Sequence, residues 1–232
     1  MFKYLQHGNK SLGTIMTTWL FFLMTLPAHA DGPGRGLTAQ FEKDYLVFII
    51  NHHFSALRIT ELAAGTDRQR DAAVVNPQEG TSPTPDTSPT PAKASDDEIR
   101  SMARAANRMQ REEIAKAQRF LKEWYGMDST PQLSQIGQQQ IALLEQTAAG
   151  EEFNREFLEI FSTHHYHALI PSLDCQVKSE LKHDMLRQYC QGIVENQTRE
   201  IHDLRTQLCN KFGICDYQPT NGVNGRHSAS SR

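Results

Sequence analysis

Apolar residues recur at three- and four-residue steps along most of this chain, which is the period of an amphipathic α-helix. The first such stretch predicts a helix over residues 38–64, with an apolar stripe of Phe41, Tyr45, Phe48, Ile49, His52, Ala56 and Ile59. A second helix is predicted to begin after Asp96, a favourable N-cap residue, and to end at Gly126, which suits the left-handed C′ position. A third, roughly over residues 132–148, would connect two halves of the chain.

The helical pattern of residues 38–126 then occurs a second time, over residues 151–213. The matched positions of the two shorter helices are Phe41, Tyr45, Leu46, His52, His53, Ala56 and Leu57 with Phe153, Phe157, Leu158, His164, His165, Ala168 and Leu169. The longer helices align as QREEIAKAQRFLKEWYG (110–126) on QTREIHDLRTQLCNKFG (197–213). Each copy is thus a helical hairpin that carries His-His and then Gln-x-x-Glu. Because one hairpin cannot bury its single apolar face alone, we expect an all-α four-helix bundle over residues 38–213.

Three segments fall outside this pattern. Residues 1–30 combine a basic start, an apolar stretch and an Ala-His-Ala cleavage site, which are the features of a signal peptide. Residues 73–97, present only in the first copy, are rich in Pro, Thr and Ser, and they predict a disordered insertion. The tail, residues 214–232, predicts disorder for the same reason. We therefore expect an exported mature protein, located in the periplasm or secreted.

Charge and hydropathy narrow the classes of partner. The formal net charge is −3 and the basic residues form no cluster, which argues against nucleic acid or anionic lipid. After signal cleavage no stretch is long and apolar enough to cross a membrane. A metal ion is the partner that the sequence indicates, and homo-oligomerisation stays open.

All four cysteines lie in the last third of the chain, and in an exported protein an even count predicts disulfides. Cys209 and Cys215 flank the Gly213 turn and could close a short loop. Cys175 is expected in a link after Pro171, and a bridge from it to Cys190 would pin the second hairpin if that link folds back.

Polar residues occupy positions where the helical stripes call for apolar ones. Gln110 and Glu113 lie three residues apart and share one helix face, and Gln197 and Glu200 do the same in the second copy. A buried carboxylate needs a partner. The histidines available on the facing helices are His52, His53, His164 and His165.

This convergence supports two interpretations. Imidazole and carboxylate groups suit transition metals, and bundle cores commonly hold such sites. The candidate ligands are His52, His53, Glu113, His164, His165, Glu200 and His183, with Gln110, Gln197 and His167 supporting them. Adjacent residues lie ~100° apart on a helix, so one histidine of each pair would bind metal while the other bonds a carboxylate. Alternatively, the same groups only hydrogen-bond one another and fix the register of the bundle.

Two further histidines differ between the copies. His167 lies one turn beyond His164, and Ser55 holds the matching position of the first copy. His183 begins the second long helix and matches Asp96. It is either a helix-start residue or an additional ligand.

The chain resembles the domain of unknown function 305 family. The resemblance is carried by FLEIFSTHHYHAL and HDMLRQYCQGIVENQTREIHDL, and by the first-copy segments YLVFIINHHFSAL and MARAANRMQREEI. It implies a ferritin-like four-helix bundle, export to the periplasm and, for some members, copper binding and tolerance. Typical members carry a methionine six residues after the second histidine, but Ile59 and Pro171 stand near that position here. Since thioethers favour Cu(I), a His/Glu site suits Cu(II), or alternatively Zn(II).

The functional expectation is a periplasmic metal-binding protein that sequesters copper or confers tolerance to it. The alternative is a structural or protein-interaction module without bound metal. An enzyme is not expected, because ferritin-type di-iron sites use Glu-x-x-His with further glutamates, and neither copy supplies that motif.

Overall fold

Five helices make up most of residues 37–66 and 88–219, the part of the chain that the computed structural model describes. They are α1 (Leu37–Ala64), α2 (Asp97–Tyr125), α3 (Gln135–Gln146), α4 (Glu151–Val177) and α5 (Asp184–Phe212). No strand occurs in these ranges, so the all-α class is confirmed. None of these helices is long and apolar enough to span a bilayer. The expected signal peptide, residues 1–30, lies outside the described residues.

The helices pair as two antiparallel hairpins, α1 with α2 and α4 with α5. The hairpins pack side by side, α1 beside α4 and α2 beside α5, and both of these contacts are also antiparallel. The pairs that fix the registers are Tyr45–Ser172 and His52–His164, then Asp96–Lys211 and Glu113–Asn196. This arrangement needs one long crossover from the end of α2 to the distant start of α4, as ferritin-like bundles have. α3 lies in that crossover.

The crossover packs tightly against α1 at one point. The Ser55 hydroxyl accepts a hydrogen bond from the Ser134 N–H at 2.9 Å. A Cβ on Gly137 would lie 2.3 Å from both Cβ and Oγ of Ser55. Only glycine therefore allows α3 to approach α1 this closely.

The two long helices, α2 and α5, are capped differently at their N-termini. Asp96 accepts hydrogen bonds from the N–H groups of Glu98 and Ile99 at the start of α2. His183 stands at the start of α5 without such a side-chain bond. There the carboxylate of Glu42, from α1, accepts from the N–H groups of Lys182 and His183 at 2.6 and 3.3 Å. The first hairpin thus caps the second one.

Two segments predicted to be disordered are in part packed on the bundle. At the end of the predicted 73–97 insertion, Lys93 donates from its backbone to Leu62 and from Nζ to the carbonyl of Leu144. In the predicted 214–232 tail, Tyr217 is buried and donates to the Glu159 carbonyl at 2.5 Å. Both predictions were wrong for residues 88–97 and 214–219, because tertiary hydrogen bonds order segments whose composition alone favours disorder. Residues 67–87 and 220–232 lie outside the described ranges.

Both predicted disulfides are present, Cys175–Cys190 and Cys209–Cys215. The predicted link after Pro171 was wrong, because Pro171 lies inside α4 and the helix continues to Val177. A proline removes one helical hydrogen bond. The next helical turn contains Cys175, whose disulfide to Cys190 fixes it to α5. The bridge therefore joins two helices.

Candidate metal centre

A layer of polar side chains crosses the middle of the bundle, between two buried apolar clusters. We call it the central layer, and it comprises His52, His53, Gln110, Glu113, His164, His165, Gln197 and Glu200. The histidines and glutamines are at most 1% exposed, whereas the side chains of Glu113 and Glu200 are 11% and 15% exposed. The spacing of the repeated polar residues along each helix thus predicted the level of the bundle at which they meet.

Each copy contributes one histidine–glutamate pair to this layer. His165 Nε2 hydrogen-bonds to Glu200 Oε2, and His53 Nε2 lies 2.9 Å from Glu113 Oε2 but off the hydrogen-bond direction. Since a carboxylate accepts, the ring proton of each imidazole belongs on Nε2. The opposite nitrogen, Nδ1, then carries a lone pair in the neutral ring. In both rings Nδ1 is buried and has no hydrogen-bond partner among the described residues.

Glu113 is held as a carboxylate despite its position. Burial acts to raise its pKa, but the neighbouring His53 and a hydrogen bond from Asn196 outweigh burial and lower the pKa below its usual value. Asn196 donates to Glu113 Oε1 at 3.0 Å. Glu113 therefore stays ionised at neutral pH.

The other two histidines stack on each other across the two hairpins. The ring centroids of His52 and His164 lie 3.9 Å apart, and the rings are nearly parallel. Burial, together with the neighbouring histidines, lowers the pKa of both rings well below the usual value. A neutral His164 donates from Nε2 to the His52 carbonyl, at 3.2 Å. Its Nδ1 lies 2.7 Å from Gln140 Oε1. Since a neutral imidazole has one N–H, the Gln140 amide must be turned by 180° from this orientation, so that its NH₂ group faces the ring and donates to Nδ1.

This stack separates the roles of the adjacent histidines. His164 uses both ring nitrogens in hydrogen bonds, so it has no lone pair left for a ligand. His52 keeps an Nε2 that has no hydrogen-bond partner among the described residues. His53 and His165 contact the carboxylates, whereas His52 and His164 stack on each other. The expectation that one histidine of each pair binds metal stays a prediction.

The donor atoms of the central layer are of types that suit a copper or zinc ion, but they are not arranged around one position. Among the described residues, no three His, Cys, Asp or Glu side chains stand close enough together to hold a metal ion. Each histidine–glutamate pair supplies two donors, and further donors within the layer are the amide oxygens of Gln110 and Gln197 and Nε2 of His52. Imidazole nitrogen with carboxylate and amide oxygen suits Cu(II) or Zn(II) better than Cu(I).

Comparison with known proteins supports the family and the fold. Residues 87–208 match the sequence model of a family described as a domain of unknown function (DUF305), which is more than half of the chain. The chain belongs to this family. Its fold is similar to a solved structure of another protein, "CopM in the Cu(I)-bound form", with a TM-score of 0.52 and 18% sequence identity. The match covers 74% of this chain and 98% of that chain, and at this identity it shows the helical-bundle fold alone. No curated protein matches the sequence.

Two predicted site residues, His183 and His167, are not part of the histidine–glutamate pairs. His183 lies at the end of the bundle, where its Nδ1 donates to Glu42 at 2.6 Å and its ring stacks on Trp124 at 3.9 Å. It is not brought into the central layer. His167 is partly buried beside the layer, burial lowers its pKa, and its Nδ1 has no described partner.

Sequence reasoning did not single out Glu42 or Gln140. Glu42 is fully buried and also accepts from the Tyr125 hydroxyl at 2.5 Å. Gln140 is fully buried and lies on the apolar face of α3 with Gly137 and Leu144. Both carried a usable signal, since each is a polar residue on an otherwise apolar helix face.

Proposed function

We propose that this protein is an exported copper-binding protein that sequesters the metal in its central layer. One observation carries the proposal: in each copy a buried imidazole has Nε2 against a carboxylate and Nδ1 without a partner. Metal-binding histidines commonly have this arrangement, in which the carboxylate fixes the tautomer and makes the other nitrogen a better donor. Its occurrence at both equivalent positions supports a shared purpose.

In this proposal His53 and His165 bind the ion through Nδ1. Glu113 and Glu200 orient the two rings from the Nε2 side, and their negative charge balances the ion. His52 and His164 hold the two hairpins together through their stack. The set of ligands is thus smaller than the sequence suggested.

Compartment and access agree with a sequestering role. The signal-peptide pattern and two disulfides favour an oxidising, extracytoplasmic location. An open groove between α2 and α5 reaches Glu113 and is lined by Met109, Tyr189 and Asn196, among others. A metal ion could approach the first pair through this groove. The protein of similar fold was solved in a Cu(I)-bound form, which supports copper as the first metal to test.

A structural module is the second candidate, and the absence of three gathered ligands in the described residues favours it. Here the histidine–glutamate contacts only fix the register of the bundle. The two candidates differ in what replacement of the histidines should change. Metal affinity should fall in the first case, and only stability should fall in the second.

The experiment is a Cu(II) titration of the mature protein and of the double variant His53→Gln/His165→Gln. Glutamine keeps an N–H that can face the carboxylate, and it replaces the imidazole nitrogen by an amide oxygen, which is a weaker ligand for Cu(II). The matched control is His202→Gln, since His202 is exposed on α5. Affinity should fall by more than about 100-fold in the double variant and stay unchanged in the control, because outer partners alone contribute roughly 10- to 100-fold.

Melting curves by circular dichroism establish whether the variants fold. A folded double variant that binds Cu(II) as wild type does would overturn the proposal. If it also melted at a lower temperature, the structural module would be the better account.

A further inference from the structure

Two glutamines in the central layer lack any hydrogen-bond partner among the described residues. Gln110 and Gln197 are each 1% exposed, and both amide atoms of both side chains are unpartnered. Burying an amide without a hydrogen bond is unfavourable, and native proteins seldom leave such groups unsatisfied. Here it occurs at both equivalent positions of the repeat. The hydrogen bonds within the bundle therefore do not account for the burial of these two amides.

The glutamines lie opposite each other and beside the histidine–glutamate pairs. α2 and α5 run antiparallel, with Asp96 beside Lys211 at one end. Counting the same number of residues inward along each helix brings Gln110 opposite Gln197. Each glutamine also lies one helical turn before the glutamate of its own copy, on the same face. Because the helices are antiparallel, Glu113 and Glu200 lie one turn to opposite sides of the glutamines, so the two amides stand between the two histidine–glutamate pairs.

Charge distinguishes this layer from the di-iron sites of similar bundles. Those sites hold two metal ions with four glutamates and two histidines. The central layer has two glutamates, and at positions 110 and 197 it has neutral amides. A second divalent ion would leave two uncompensated positive charges in the core, which is strongly unfavourable. Two carboxylates balance one divalent ion.

We propose that Gln110 and Gln197 determine the metal content of the central layer, limiting it to one divalent ion whose coordination their amide oxygens complete. This inference rests on the proposed function. The amide oxygen is a ligand that carries no negative charge. The glutamines therefore complete the coordination of one ion without supplying the charge that a second ion would need. In this proposal the two residues contact the ion directly.

The experiment measures bound metal and affinity for Cu(II), with Zn(II) as a second probe, in the mature protein. The first variant, Gln110→Glu/Gln197→Glu, restores four carboxylates and should raise the bound Zn(II) from one to two equivalents. The second variant, Gln110→Leu/Gln197→Leu, removes the amides at similar volume. It should melt at least as high as wild type without metal and bind Cu(II) at least tenfold more weakly.

The outcomes separate this inference from the proposed function. If His53→Gln/His165→Gln lowers affinity but the leucine variant binds as wild type does, the glutamines are not ligands and only this inference fails. If a folded glutamate variant still takes one equivalent, the charge argument fails. Should that variant not fold, the leucine variant decides alone. A leucine variant with a lower melting temperature and unchanged affinity would mean that the amides are merely structural.

Discussion

The two hairpins have the same histidine–glutamate pair at their centre but are held together by different means. In the second hairpin the Cys175–Cys190 disulfide joins α4 to α5, and Cys209–Cys215 closes the turn after α5. The first hairpin contains no cysteine. Instead, α3 packs along α1 and the chain before α2 bonds to α1 and α3. The periphery of the repeat has diverged while its centre has kept one geometry.

Positions 55 and 167 show why the copies differ. His167 borders the layer in the second copy, but Ser55 occupies the matching place because α3 passes over it at Gly137. The same crossover brings Gln140 to His164, so that His164 is fully hydrogen-bonded, whereas Nε2 of His52 has no partner among the described residues. A single asymmetric connection therefore accounts for both differences at the centre.

The largest loss of stability is expected when the second hairpin loses the disulfide that joins α4 to α5. Cys175→Ala/Cys190→Ala opens a loop of 15 residues, and the free energy of unfolding should fall by roughly 3 kcal/mol. Cys209→Ala/Cys215→Ala opens a loop of 6 residues and should lower it by roughly 2 kcal/mol. Urea denaturation of both variants measures this. A smaller loss for the first than for the second would show that the long bridge does not secure the hairpin.

Acid should weaken the contact between the hairpins, because the stacked His52 and His164 have pKa values far below normal. Above pH ~6.5 both rings are neutral in the folded and the unfolded chain, so this stability is fully present. Below that pH these two imidazoles bind protons in the unfolded chain but stay neutral in the folded one. Unfolding free energy of the metal-free protein should then fall by up to ~1.4 kcal/mol per pH unit for each ring, down to the folded pKa.

Denaturation between pH 7.5 and 5 measures this slope. His164→Gln should flatten it, and His202→Gln should leave it unchanged. An identical slope in His164→Gln would show that the stack does not titrate as described.

How much was predictable depends on how local each interaction is. The hairpins and the histidine–glutamate pairing follow from periodicity and from the spacing within each copy. The hydrogen bond between Gln140 and His164, and the one that His183 donates to Glu42, join distant residues. They depend on the path of the crossover and on the register of the bundle. The continuation of α4 through Pro171 likewise depends on contacts with the rest of the bundle, because local helix propensity there favours a break.

The asymmetric crossover itself can be tested at Gly137. Gly137→Ala places a Cβ 2.3 Å from Ser55, and overpacking of this kind lowers stability by roughly 1–3 kcal/mol. Gly192→Ala is the matched control, since a Cβ there meets no atom within 4 Å. Thermal melting of both variants compares them. Equal melting temperatures would mean that α3 does not press on α1.

The smallest effect is expected at the helix starts. Asp96→Ala removes the cap of α2 and should cost about 1 kcal/mol. The hydrogen bond from Lys211 and those from the Ile99 and Glu98 N–H groups lower the pKa of Asp96, so its contribution is present above the unfolded value and is lost as pH falls through the folded one. Thermal melting near pH 7 and near pH 2.5 tests this. A variant equally destabilised at both values would contradict the role of the carboxylate.

The most direct measurement is anomalous scattering at the copper absorption edge from crystals of the mature protein grown with Cu(II). The expected result is one peak in the central layer, within bonding distance of Nδ1 of both His53 and His165. A copper peak only at exposed histidines such as His202, with the layer unchanged, would contradict the assignment of metal binding to the repeated histidine–glutamate pairs.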